Sequence, residues 1–136
     1  MSAPMDDDAF MEAFAAGTLG DGAFHHRDHV RMAWLYLERW PLAEAASRFI
    51  ADLQRFAGAR GAPNLYHATI TWAYLLIVHE RRAASPAATW DAFAAAHPDL
   101  LGWKPSILDR YYHSETLWSD RARRVFVMPD RLAPGA

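Results

Sequence analysis

Apolar residues three and four apart, cut at short intervals by Gly or Pro, run through nearly the whole of this chain, and that pattern restricts it to short helices packed on one another. Asp6 or Asp7 is placed to cap a first helix carrying Phe10, Met11 and Phe14, with Gly17 to end it. A second segment sets His26, His29, Val30, Ala33, Leu37 and Trp40 along one stripe, and Pro41 stops it. Pro41 suits the first turn of a third helix, whose face of Leu42, Ala45, Ala46, Phe49, Leu53 and Phe56 ends before Gly58. After a connection over 58–64, Asn64 is an acceptable cap for a fourth helix to about Arg82, apolar nearly all round from Ile70 to Val78. Ser85 and Pro86 open a fifth with Trp90, Phe93 and Ala94 inward, closed by His97-Pro98. Beyond it the pattern breaks up, with short starts expected at Pro105 and at Ser114 or Ser119.

No strand-like alternation of useful length, internal repeat or low-complexity tract interrupts this reading. The expectation is an all-α fold: a compact single-domain bundle of five to seven helices spanning 1–136, with a central apolar helix at about 64–82. A length of 136 residues suits one core rather than two. Residues 1–5 and 131–136 read as loose termini.

Charge and composition narrow the partners. Fourteen basic against sixteen acidic residues leave a net charge of −2, so no basic field draws in nucleic acid or anionic lipid. Asp6 to Asp8 stand where a secretory signal needs basic residues and then an apolar run. The longest apolar stretch, Trp72 to Val78, is far short of the roughly 20 residues that cross a bilayer. The absence of Cys removes disulfides, thiolate ligands and a cysteine nucleophile. A cytoplasmic location and a small-molecule substrate or ligand are expected, and a homodimer is compatible with these features.

Candidate chemistry gathers on histidine. In His25-His26-Arg27-Asp28-His29, a helix puts His29 on one face with either His26 or His25, which is half of a metal site. A third ligand has to come from elsewhere, and His67 is the candidate. At the start of the fourth helix, its neighbours Ile70, Thr71 and Tyr74 turn it inward, so that His29 and His67 are expected to face each other. Three neutral imidazoles with an open position suit Cu, Fe or Zn rather than Ca or Mg. Three readings remain open: structural histidines bonded to carbonyls or hydroxyls, a metal site, and metal-free acid–base use near neutral pH. Tyr111 and Tyr112 form a second polar-aromatic cluster able to donate or relay a proton. His79 and His97 sit at helix ends, where a cationic side chain suits the helix C-terminus. Arg121, Arg123 and Arg124 read as a solvated face. No G-x-S-x-G, phosphate-binding Gly loop or paired-carboxylate helix occurs, and no nucleotide cofactor is expected.

The run from Phe24 to Trp34, the segment Tyr66-His67-Ala68-Thr69-Ile70-Thr71, Tyr111-Tyr112 and Phe126 to Asp130 resemble a family of small all-helical bacterial proteins with F-x-H-x-x-H and Y-H-x-T-I-T motifs. The resemblance covers most of the chain and implies that His26, His29 and His67 belong together, without implying an activity. An acidic residue often follows the second-motif histidine in that pattern; here it is Ala68, so if that group is a ligand or base in the family, this chain lacks it.

The leading functional expectation is a small-molecule enzyme, a metal-dependent oxidoreductase or lyase. Its catalytic residues would be His29, His67, Tyr111 and Tyr112, its metal ligands would come from His25, His26, His29 and His67, and its substrate would have an aromatic or polyketide-like body. The alternatives are a metal-free cyclase or isomerase with a His general base, and a non-catalytic ligand-binding or protein-interaction module.

Overall fold

The computed structural model describes residues 6–20, 24–62 and 66–131. Among them the chain is all-α, with seven helices and no strand. The helices are α1 (Asp7–Ala16), α2 (His26–Arg39), α3 (Leu42–Ala59), α4 (Ala68–Ala84), α5 (Trp90–Ala96), α6 (Ser114–Leu117) and α7 (Asp120–Arg124). Single 3-10 turns lie at Pro98–Leu100 and Ile107–Arg110. Residue contacts gather into two units, Met1–Leu65 and Tyr66–Ala136.

In the first unit α3 packs against both α1 and α2. Asp6 caps α1 through its side chain, and Gly17 ends it at φ 75°, a left-handed conformation that Gly adopts without a Cβ clash. Phe14 is fully buried at the centre, with the rings of Phe24, Tyr36, Phe49 and Phe56 all within 6.1 Å. Fully burying such a ring is worth about 1.5–3 kcal/mol, and Phe14, Tyr36, Phe49 and Phe56 are all buried. Salt bridges from Arg31 to Asp7 and from Arg39 to Asp8 tie α2 to the acidic start of α1. The α2 stripe read from sequence is too narrow, because every residue from Met32 to Leu37 is buried. The expected end of α3 before Gly58 is also corrected: the helix continues through Ala59, and Gly61 takes the positive φ.

In the second unit α4 packs against α7. The Asn64 cap falls outside the described residues; the N-cap of α4 is His67, which the sequence reading placed in the first turn. The expected start of α5 at Ser85-Pro86 is corrected to Trp90, capped by the Thr89 hydroxyl. Helices of four and five residues such as α6 and α7 cannot stand on propensity. Side chains from better-anchored elements hold this region instead. The Thr69 hydroxyl donates to the Val125 carbonyl at 2.9 Å and accepts from the Val127 amide at 3.1 Å. Tyr112 donates to the Val127 carbonyl at 2.7 Å. Asp130 accepts from the His113 amide and the Thr116 hydroxyl.

No helix is long and apolar enough to cross a membrane among the described residues.

Candidate functional site

The histidines of the first unit share the opening turn of α2. His25 is its N-cap residue and has a backbone N–H with no intrahelical partner, as at any helix start. The Asp28 carboxylate accepts that N–H at 2.9 Å and stands 3.4 Å from His25 Nδ1. The His25 side chain is 74% exposed, whereas His26 is half-buried.

One turn on, His29 enters the aromatic cluster. Its ring stacks on Phe49 at 5.4 Å and 13°, and Phe24 lies 5.7 Å away at 45°. The Nε2 atom is shut away from solvent. Burial, helped by the nearby His26, pushes its pKa down to about 4. The ring is therefore neutral throughout the physiological range, which is the form that binds a metal or trades hydrogen bonds with a neutral ligand.

A polar pair crosses the same cluster. Tyr36 donates to the Asp52 carboxylate at 2.5 Å, and Arg55 holds the other carboxylate oxygen at 2.7 Å. Burial, together with the carboxylate, raises the Tyr36 pKa, so its hydroxyl stays protonated. This pair was absent from the sequence reading, although one signal was there. Asp52 falls three residues after Phe49 and four before Phe56, on the apolar face of α3.

His67, in the second unit, is buried and spent. Its Nδ1 accepts the Ile70 amide at 3.1 Å, satisfying one of the unpartnered donors of the first turn of α4. Its Nε2 donates to the Leu117 carbonyl at 2.8 Å. Accepting at one nitrogen and donating at the other fixes a single neutral tautomer. Burial holds its pKa below the ordinary imidazole value, against the opposing pull of the Leu117 bond. To ligate a metal, His67 would have to give up one of these bonds. Trp118 lies edge-on to it at 5.7 Å.

Tyr112 is likewise buried and bonded to Val127, with its pKa raised to about 12 by burial and by the charge of Asp130. Tyr111 is half-buried, and its carbonyl accepts the Arg131 amide at 2.9 Å. The expectation of a cationic His97 at the end of α5 is corrected. Its Nδ1 accepts from Arg81 at 3.0 Å, and burial and that guanidinium lower its pKa.

The structure thus brings His25, His26 and His29 together on one turn within the first unit, and sets His67 and Tyr112 as anchors of the C-terminal segments within the second. Among the described residues no group of three or more His, Asp or Glu side chains is close enough to hold a metal ion. The second unit also holds a cleft of about 460 Å³ beside the Ile107–Arg110 turn, a size suited to a small ligand. Its walls come from residues 98 to 110 and from Arg131, a dispersal that leaves no linear motif. Comparison of the chain with family models, curated proteins and solved structures finds no match.

Proposed function

We propose that this chain is a small-molecule enzyme, a metal-dependent oxidoreductase or lyase, in which His29 together with His25 or His26 holds a transition metal, Cu, Fe or Zn, at the start of α2. The observation that carries the reading is the neutrality of His29, whose pKa near 4 keeps the coordinating form populated at any physiological pH. Helical spacing supplies the second imidazole. The metal would polarise a substrate oxygen, or activate oxygen or water. An aromatic or polyketide-like substrate is in keeping with the rings of Phe24 and Phe49 that pack beside His29. His67 is left out of the ligand set because both its nitrogens are engaged. Metal analysis of untagged protein after reconstitution with Zn, Cu or Fe(II) tests this. The expected result is near-stoichiometric metal in the parent and in folded His67→Asn, and loss in His29→Ala. Equal metal content in the parent and His29→Ala overturns it.

A second reading, the metal-free cyclase or isomerase, draws on the same pKa. An imidazole this acidic is a weak base at neutral pH and serves better as a neutral hydrogen-bonding group that polarises a substrate. Turnover retained in exhaustively chelated protein but lost in His29→Ala selects this reading. Ligand binding without turnover selects a non-catalytic module.

A further inference from the structure

Pro98 and Pro105 give the cleft of the second unit rigid apolar walls, and Ile107 adds a buried side chain. Gly102 lets the chain close on itself here, since a Cβ at that position would stand 3.3 Å from the Pro105 carbonyl. The charged groups lining the cleft are two carboxylates, Asp99 and Asp109, and two guanidiniums, Arg110 and Arg131, and the carboxylates already have work.

Asp99 is gripped through both oxygens by Arg81, at 2.9 and 3.2 Å, and its pKa is lowered chiefly by that bond. Asp109 accepts the Ser106 amide at 3.2 Å in the cap of the Ile107–Arg110 turn. The Ser106 hydroxyl is shared between the Tyr74 hydroxyl at 2.9 Å and the Leu108 amide at 3.1 Å. These groups are framework. Arg110 is 62% exposed and only brushes Asp99 at 4.0 Å. Arg131 is exposed, with its backbone anchored to the Tyr111 carbonyl. With Asp99 offset by Arg81 from outside the lining, two guanidiniums (Arg110, Arg131) face one carboxylate (Asp109) at this cleft.

We propose that this cleft binds a small monocarboxylate with a flat apolar body, with Arg110 and Arg131 pairing the carboxylate and Pro98, Pro105 and Ile107 taking the body. Guanidinium matches carboxylate in charge and in paired-donor geometry, and the rigid proline walls are ordered before the ligand arrives. The site is independent of the histidines of α2, and its occupancy does not depend on a metal there.

Benzoate is the probe, titrated into the 15N-labelled full chain with amide shifts as the readout. Saturable shifts at Gly102, Ser106, Ile107, Arg110 and Arg131 are expected, with none from benzylamine at equal concentration. Arg110→Gln and Arg131→Gln each weaken binding about tenfold, the loss of one charge-assisted contact, and the double variant abolishes it. Arg124→Gln, whose side chain pairs with Asp120 on α7, leaves the titration unchanged. Folding of each variant is read from the same spectra. Benzylamine shifts matching those of benzoate, a double variant that still binds, or inorganic phosphate saturating the site below benzoate would each overturn the proposal.

Discussion

Among the described residues three α-helices begin at a histidine N-cap, α2 at His25, α4 at His67 and the four-residue α6 at His113, and the caps of the two long ones have opposite fates. At the start of α4, His67 is buried, takes up the Ile70 amide and spends its other nitrogen on the Leu117 carbonyl fifty residues later. At the start of α2, His25 stays exposed while the Asp28 carboxylate takes up its N–H, and the imidazole whose Nε2 is shut away from solvent is His29, one turn inside the helix. A cap position points a side chain back along the axis at the open amides, so a buried imidazole there is drawn into holding the fold. A position one turn on faces the neighbouring helix, so His29 is tuned by packing instead.

The largest test of that contrast is removal of the buried cap. His67→Ala deletes an N-cap and leaves the Leu117 carbonyl without its donor, for an expected loss of about 3 kcal/mol. Urea denaturation of the parent and variant measures it. His67→Asn should recover about 1 kcal/mol, because its side-chain oxygen can still cap. A loss below about 1 kcal/mol in His67→Ala would place His67 outside the fold's support and reopen it as a ligand.

Next in size is the acid side of the stability curve. A His with folded pKa near 4 and unfolded pKa near 6.5 binds its proton only on unfolding across that window. Its contribution is therefore complete above pH 6.5 and is lost as pH falls toward 4, with a slope of up to about 1.4 kcal/mol per pH unit. His67 and His97, whose pKa values are also lowered, act in the same direction. His29→Phe keeps a ring against Phe49 and removes one proton's share of the slope, as denaturation between pH 4 and 7 would show. An unchanged slope would mean that His29 is not the buried neutral group.

The helix pattern was legible because apolar spacing and capping residues are local signals: Asp6 and Ser119, each one of two candidates, cap where the sequence allows, and Gly17 and His97-Pro98 end helices where expected. Ser85-Pro86 misled because a cap-like dipeptide opens a helix only when the next turn has something to bury, and the first buried ring there is Trp90. The inward turn of His67 was also legible, from Ile70, Thr71 and Tyr74. Its bond to Leu117 was not, since no rule of spacing links residues fifty apart whose pairing is made by tertiary packing. The same holds for Tyr36 with Asp52, and for Arg131 beside a cleft built from 98–110.

A smaller effect isolates one anchor of the C-terminal segment. Tyr112→Phe keeps the ring but leaves the Val127 carbonyl without its donor, so about 1 kcal/mol is expected by urea denaturation. Because Thr69 also holds this segment through Val125 and Val127, the loss should be less than that of His67→Ala. Equality of the two would mean that His67 is simply one more tether.

The smallest expected change falls on the exposed cap. His25→Ala removes a ring that is 74% exposed and leaves the backbone bond from residue 25 to Asp28 in place, so stability should move by no more than about 0.5 kcal/mol. Asp28→Ala deletes the acceptor itself and the favourable negative charge in the first turn, and should cost about 1 kcal/mol. The order matters more than either value. If His25→Ala costs more than Asp28→Ala, the imidazole rather than the carboxylate secures this helix start. His25 would then be spent as His67 is, and the metal reading of α2 would rest on His26 and His29.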